Sequence, residues 1–238
     1  MNALLEQFLW VIYPYIALAL FAAGLVWRYE TDQFGWTSKS SEILEKRWLA
    51  WGNNLFHYGF LAVFGGHVMG LLIPPSVDQS LGMSDASYHI VSYYGGAAAG
   101  IIAVAGLVIL TARRIGVPRV RATSTPSDWL TLALLLGVMG LGLGDTLGYT
   151  ALVGPFDYRD TIGVWFRGLI TLSPSAAAMA GTPLSFQAHV LAGLTFFALF
   201  PLTRLVHMLS LPFHYLTRRF VVFRSQRSIA SVRGTSGR

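Results

Sequence analysis

The chain contains no cysteine, and only 12% of its 238 residues are charged. Without thiolates it cannot ligate an ordinary iron–sulfur cluster, attach a c-type haem covalently or form a disulfide. Soluble domains carry roughly a quarter charged residues, so the low charge and the 54% hydrophobic content argue against a soluble fold. Redox groups that depend on cysteine are therefore excluded.

Long apolar runs are what the chain has instead. About 20 apolar residues cross the hydrocarbon core as a helix, because lipid offers the backbone no other hydrogen-bond partner. We therefore predict an all-α integral membrane protein, with a five-transmembrane-helix bundle in residues 1–211 and a basic tail in residues 212–238. The predicted helices are Phe8–Trp27, Trp51–Ile73, Ile90–Leu110, Trp129–Tyr149 and Phe186–Leu211.

Basic residues fall almost entirely on one side of these segments. Of the 17 lysines and arginines, only Arg159 and Arg167 lie on the other side. Positive residues mark the cytoplasmic face of a membrane protein. The pattern predicts an N-terminus outside and a C-terminus in the cytoplasm. It does not favour nucleic acid as a partner, because the basic residues flank membrane helices.

Four histidines lie inside two apolar segments, His57 and His67 in the second and His189 and His207 in the fifth. Ionisable residues at membrane depth usually mark a functional site, and imidazole is the usual protein ligand of haem iron. Because the two helices are antiparallel, His57 pairs with His207 near the cytoplasm and His67 with His189 near the exterior. We therefore predict two non-covalent, histidine-ligated haems stacked across the bilayer.

The spacing of the histidines leaves other interpretations open. The pairs are separated along their helices by about 15 and 27 Å, a difference that tilt and a kink at Pro201 would have to absorb. Intramembrane histidines can also bond a neighbouring helix, or line the path of a transporter or metal-permeation subunit. Five nearby glycines could clear room for a flat macrocycle or serve close helix packing: Gly59, Gly65, Gly66, Gly70 and Gly193.

Three further features lie near the predicted membrane surfaces. We interpret Asp145, near the outer end of the fourth segment, as solvated, and a proton-handling role is the alternative. Arg204 is expected to reach the inner surface with its long side chain, or to contact a haem propionate one turn before His207. The loop Thr150–Ser185 is predicted to hold either a short interfacial helix or ordinary external loop structure.

Several sequence runs along almost the whole chain point to one family. They are IYPYIA (Ile12–Ala17), NLFHYG (Asn53–Gly59), GGHVMGLLIP (Gly65–Pro74), PRVRATSTPSD (Pro118–Asp128), FPLTRLVH (Phe200–His207) and YLTRR (Tyr215–Arg219). With these runs in this order, the chain closely resembles the gamma subunit, a di-haem cytochrome b, of membrane-bound respiratory nitrate reductase.

The resemblance implies haem b ligation by His57 with His207 (proximal) and by His67 with His189 (distal). It also implies a quinol site beside the distal haem that includes Gly66 and His67. The family has a lysine near the start of the third helix, where this chain has His89, and we assign His89 to the quinol site.

The resemblance further implies an electron-transfer role for the chain. Quinol would be oxidised on the outer side, and the electrons would pass to an iron–sulfur subunit and on to a molybdenum-cofactor subunit that reduces nitrate. The basic tail, from Pro212 to Arg224, is expected to dock these partners. The alternative is the cytochrome b of another quinone-linked molybdoenzyme or iron–sulfur reductase.

Overall fold

The computed structural model describes residues 2–38 and 40–210, and this part of the chain forms helices and no strand. Five of its helices are long and apolar enough to cross a membrane, which confirms the predicted fold class. We call the end where the first helix begins the outer end, and the opposite end the inner end. The helices are α1 (Ala3–Thr31), α2 (Arg47–Leu72), α3 (Asp85–Gly116), α4 (Pro126–Leu152) and α5 (Leu184–Leu202).

The first four of these helices each contain one π-helical stretch, and all four stretches lie at the outer end. Wide turns of this kind are often found at functional sites. One of them leaves the carbonyl of Trp10 free to accept a hydrogen bond of 2.7 Å from the indole N–H of Trp165. The outer end is therefore less regular than the inner end. The stretches are Phe8–Ile12, Val68–Leu72, Val91–Gly95 and Gly144–Tyr149.

Close helix crossings occur where side chains are missing. A Cβ atom at Gly59 of α2 would lie 2.5 Å from the backbone nitrogen of Ala103 on α3, and one at Gly106 would overlap the backbone of Phe56. Small residues let transmembrane backbones approach in this way. Elsewhere α5 packs on α1 and α4, and α3 packs on α4, whereas α2 and α5 are not among the closely packed pairs of the described residues.

Two apolar clusters fill the bundle, one at each end. The outer cluster includes Trp10, Trp165 and Leu169. Trp165 and Leu169 belong to a short helix, Ile162–Ile170, so the long loop before α5 does contain the helix that was one of its two predicted structures. The inner cluster includes Phe56 of α2 and Val206, which follows α5.

The fifth predicted segment is wrong at its C-terminal end. Instead of one helix to Leu211, the chain tightens to a 3₁₀ turn at Phe200–Leu202, becomes extended at Thr203, and forms a second 3₁₀ turn, Arg204–Leu209. Pro201 explains the change, because it lacks the N–H that a helix needs at that position. The spacing of about 27 Å between His189 and His207 along one helix therefore does not apply. Leu211 and the predicted docking tail lie outside the described residues.

Candidate functional site

The outer histidines approach each other across the space between two helices. The ring centroids of His67, on α2, and His189, on α5, are 6.0 Å apart, with an angle of 49° between the ring planes. Two imidazoles on opposite sides of one metal ion have centroids roughly 6 Å apart, because each ligating nitrogen lies roughly 2 Å from the metal. This pair therefore fits a single iron between the two rings.

Backbone hydrogen bonds orient three of the four imidazoles. The Nδ1 atoms of His57 and His67 each lie 2.8 Å from the carbonyl oxygen four residues earlier, at Asn53 and Val63. Nδ1 of His207 lies 2.7 Å from the carbonyl oxygen of Arg204. A carbonyl oxygen can only accept, so Nδ1 carries the hydrogen and Nε2 keeps its lone pair for a metal.

The inner histidines share surroundings, although they differ in local structure. His57 lies in α2 and packs edge-on against Phe56, with ring centroids 5.3 Å apart. His207 lies in the 3₁₀ turn Arg204–Leu209, directly after the buried Val206. Phe56 and Val206 belong to the same inner cluster. The two histidines are thus both placed at the inner end, as their pairing requires.

Three charged side chains form a compact group beside His207. Asp128 is buried at the start of α4, and its carboxylate receives Arg204 at 2.6 Å and Arg114 at 3.0 Å. Two guanidinium groups on one carboxylate leave one positive charge in excess. Arg204 forms an ion pair with Asp128. The contact of Arg204 with a haem propionate stays a prediction.

The glycines near the histidines divide into two groups. Gly59 serves the α2–α3 crossing, and a Cβ atom at Gly70 would lie 2.6 Å from the Tyr158 hydroxyl oxygen. At Gly65, Gly66 and Gly193 a Cβ atom would meet nothing within 4 Å. These three leave room beside the outer histidines, whereas Gly59 and Gly70 serve packing.

His89 lies in a polar group above the outer histidines. Its Nε2 atom is 3.3 Å from Asp157, and its side chain is 38% exposed. Arg159, only 1% exposed, donates hydrogen bonds to Asp157 at 2.7 Å and to Asp85 at 3.1 Å, and it lies over the ring of Tyr88. We call these five residues the Arg159 cluster. Within the described part of the chain, no hydrogen bond, ion pair or ring contact joins His89 to His67.

The interpretation of Asp145 as a solvated residue is wrong. Its residue exposure is only 4%, it lies in the π-helical stretch Gly144–Tyr149, and the side chain that faces it is Ser185 of α5. Nearby, Gly142 forms the surface on which His189 rests: a Cβ atom there would lie 2.9 Å from Cε1 of the imidazole. An isolated carboxylate in an apolar segment was a visible signal for Asp145. No sequence pattern singled out Gly142.

Comparison with known proteins places the chain in a family. Residues 6–226 match the family model described as nitrate reductase gamma subunit. The chain is 52% identical over 220 residues to the nitrate reductase gamma chain of Bacillus subtilis, covering 92% of this chain and 98% of that protein. It is 35% identical to the respiratory nitrate reductase 1 gamma chain of Escherichia coli, covering 93% and 98%.

A more distant relative is a subunit of a different oxidoreductase. The Hdr-like menaquinol oxidoreductase cytochrome b-like subunit of Archaeoglobus fulgidus is 30% identical over 168 residues, covering 68% of this chain and 48% of that protein. The family match and the two gamma chains extend over nearly the whole sequence, together with five helices long enough to span a membrane. The chain is a multi-pass membrane protein that belongs to the nitrate reductase gamma subunit family.

Proposed function

We propose that this chain is the di-haem cytochrome b of a respiratory nitrate reductase, which oxidises quinol at the outer end and delivers electrons to partner subunits at the inner end. The observation that carries the proposal is the His67–His189 pair, with ring centroids 6.0 Å apart on two helices that are not closely packed. Haem b, when bound, supplies a one-electron carrier at each histidine pair. The chain's own residues hold, orient and bury it.

The glycines support a planar group at the outer pair. Gly65 and Gly66 precede His67, and Gly193 lies one turn beyond His189, all three without a neighbour where a Cβ atom would be. The Nδ1–H group of His67 is tied to Val63, which holds the imidazole in the tautomer that can ligate iron. These features favour a haem site over a simple hydrogen bond between helices.

Charge supports the second haem at the inner pair. Asp128 leaves one of its two arginine partners uncompensated, and the group lies beside His207. A haem propionate would supply the missing negative charge, through Arg204 or Arg114. We therefore assign His57 and His207 to the proximal haem, with the positive group as its anion-binding side.

Quinol oxidation at the outer end would conserve energy by separating charge. Moving one elementary charge across the membrane is worth about 2.3 kcal/mol per 100 mV, so electrons should travel inward while the protons leave outside. The proposal places the N-terminus outside the bacterial inner membrane, in agreement with the distribution of basic residues. Gly66, His67 and His89 are its quinol-site residues.

His89→Ala tests the quinol site in the purified complex. We expect a short-chain quinol to reduce the haems at least tenfold more slowly than in the wild type, as followed by haem absorbance. The reason is that His89 can accept a quinol proton, and general base catalysis contributes roughly 10²–10⁴ in rate. Both haems should remain, and artificial donors to the partner subunits should still support nitrate reduction. The exposed Ser80→Ala is the control and should behave as wild type. A wild-type rate in His89→Ala would remove His89 from the site.

Vesicles that contain the complex in one known orientation test the proposed topology. Quinol oxidation should release protons on the side of the outer end. Release on the side of the inner end would overturn both the orientation and the position of the quinol site.

The similarity to the Archaeoglobus menaquinol oxidoreductase subunit supports one other function, a cytochrome b for a different terminal reductase. The neighbouring genes distinguish the two. A large molybdoenzyme and a cysteine-rich iron–sulfur subunit would support nitrate reductase, whereas iron–sulfur subunits without a molybdoenzyme would favour the alternative.

The partners are proposed to dock through residues 212–224, which lie outside the described residues. Deletion from Pro212 onward should release the iron–sulfur and molybdenum-cofactor subunits from the membrane and leave quinol-reducible haem in it. Nitrate-reducing activity that stays on the membrane after this deletion would argue against docking through the tail.

A further inference from the structure

Asp145 is a buried carboxyl group that the site described so far does not use. Both carboxyl oxygens are shielded from solvent and lack a well-formed hydrogen bond among the described residues. The side chain that faces them is Ser185 of α5, and no ion pair to Asp145 occurs within residues 2–38 and 40–210. A carboxyl group at this depth is costly to retain and marks a functional site by default.

Two helices independently place Asp145 next to the outer histidine pair. On α4, Gly142 contacts the imidazole of His189, and Asp145 follows three residues later on the same face. On α5, Ser185 precedes His189 by four residues, again on one face. Both routes put the carboxyl group roughly one helical turn, about 5 Å, beyond His189 toward the outer end.

Aromatic residues lie at the level of the carboxyl group or beyond it, toward the outer end, on both α4 and α5. Tyr149 lies one turn beyond Asp145 on α4, and Phe186 follows Ser185 on α5. Their ring centroids are 5.3 Å apart, and Phe156 lies 4.9 Å from Phe186. A group of aromatic rings thus lies at or beyond the position of the carboxyl group along the two helices, and such rings can pack against a planar aromatic headgroup.

Quinol oxidation needs a proton acceptor that the haem ligands cannot provide. Nδ1 of His67 is occupied by the Val63 carbonyl, and its Nε2 is the atom that would ligate iron. His89 lies with Asp157 in the Arg159 cluster, and no hydrogen bond, ion pair or ring contact joins it to Asp145 among the described residues. A second acceptor nearer His189 is therefore required for the two protons of a quinol.

We propose that Asp145, which faces Ser185, accepts a proton from the hydroxyl group of quinol bound beside His189. The quinol O–H bond breaks and a carboxyl O–H bond forms on Asp145, while the electron would pass to the haem that His67 and His189 would hold. The second O–H bond breaks with transfer of its proton to His89, and the second electron follows the first, which completes the quinone. Asp145 and His89 then release their protons toward the outer end. The inference rests on the proposed function and adds a catalytic residue to its quinol site.

Asp145→Asn tests the inference in the purified complex, because it keeps the size of the side chain and removes its ability to take a proton. We expect both haems to remain and the limiting rate of haem reduction, by a short-chain naphthoquinol and in parallel a short-chain benzoquinol, to fall at least tenfold. Asp145→Glu should recover part of that rate. Asp160→Asn, at an exposed carboxylate of the same outer loop region, is the matched control.

Infrared difference spectroscopy supplies a readout that does not depend on turnover. Binding of the oxidised naphthoquinone to the wild-type complex should shift a carboxyl band that is absent in Asp145→Asn and weakened in Ser185→Ala. An unchanged limiting rate, or an unchanged infrared difference in Asp145→Asn, would overturn the inference. Absence of quinol-reducible haem in the wild type would instead overturn the proposed function, so the two failures are distinguishable.

Discussion

The two histidine pairs are supported in different ways. At the outer end both histidines lie inside long helices, and the rings of His67 and His189 face each other at 6.0 Å. At the inner end His57 lies in a long helix, but His207 lies in a 3₁₀ turn after α5 has ended at Leu202. The outer pair is therefore positioned by two long helices. At the inner pair, individual hydrogen bonds position the segment that carries His207.

Those inner contacts are few and can be named. Arg28 of α1 donates from Nη1 to the carbonyl oxygens of Pro201 and Thr203, at 2.8 and 3.2 Å. The hydroxyl of Thr203 donates to the Phe200 carbonyl and accepts from the Leu205 N–H. The difference between the two ends predicts that loss of a hydrogen bond that caps the Arg204–Leu209 turn affects only the inner histidine pair. The outer pair should respond instead to changes that displace the His67 or His189 ring, or that disturb the Arg159 cluster.

The largest expected effect is at Gly142, which supports the outer pair. In Gly142→Ala the new methyl group would lie 2.9 Å from Cε1 and 3.2 Å from Nε2 of His189, so the imidazole must move. We expect loss of the distal haem with retention of the proximal one, measured by the haem absorption of the purified complex. Gly140→Ala is the matched control, since a Cβ atom there meets nothing within 4 Å. Full haem content in Gly142→Ala would show that the outer pair tolerates displacement.

A smaller effect is expected from Arg159, which holds the covering residues of the outer end. Removing one partner of a buried ion pair costs roughly 3–5 kcal/mol, and the exposure of Asp85 puts the cost near the lower limit. Arg159→Met should therefore lower the midpoint of thermal unfolding in detergent and reduce distal haem retention first. The exposed Arg47→Met at the inner end is the control. Equal loss of both haems would contradict the separation of the two ends.

The same cluster predicts a pH dependence with a definite sign. Burial alone would raise the pKa of Asp157, but hydrogen bonds and charge from Arg159, together with His89, hold that pKa below its usual value. A lowered acid pKa stabilises the fold above the ordinary value of about 4, and this stabilisation is lost as the pH falls through the lowered pKa. Wild type should therefore lose stability in acid, and Arg159→Met should lose less.

The smallest effect is expected at Thr203, which supports the inner pair. Thr203→Val keeps the shape of the side chain but removes the cap of the 3₁₀ turn, a loss of about 1 kcal/mol. Only the proximal haem spectrum or its retention should change. Thr131→Val is the control, because the Thr131 hydroxyl only bonds the Ser127 carbonyl within its own helix. A change at the distal haem would show that the two ends are coupled.

All five membrane helices could be predicted from the sequence. A helix that crosses lipid must be long and apolar, and such a run of residues is easy to recognise. The sequence underestimated the lengths of the first four: α3 runs from Asp85 to Gly116 rather than from Ile90 to Leu110, since polar interfacial turns remain helical. From Pro201 the sequence also predicted a kink in the fifth segment. The contacts that Arg28 of another helix makes with the chain between α5 and the turn that carries His207 could not be predicted, because no local pattern reveals them.

The candidate site shows the same limit. The four histidines could be predicted because ionisable side chains are conspicuous in apolar segments. The burial of Asp145 could not, since it depends on Ser185 from α5 and on a π-helical stretch without a sequence signature. Nor could the contact of Gly142 with His189, which arises only when α4 and α5 pack together.

Haem content in four single variants tests the central claim most directly. The purified wild-type complex should contain two haems b per copy of this chain. His67→Ala and His189→Ala should each remove the distal haem, and His57→Ala and His207→Ala should each remove the proximal haem, as judged from the reduced absorption spectra. One haem in the wild type, or loss of the same haem from the His57 and His67 variants, would contradict the account.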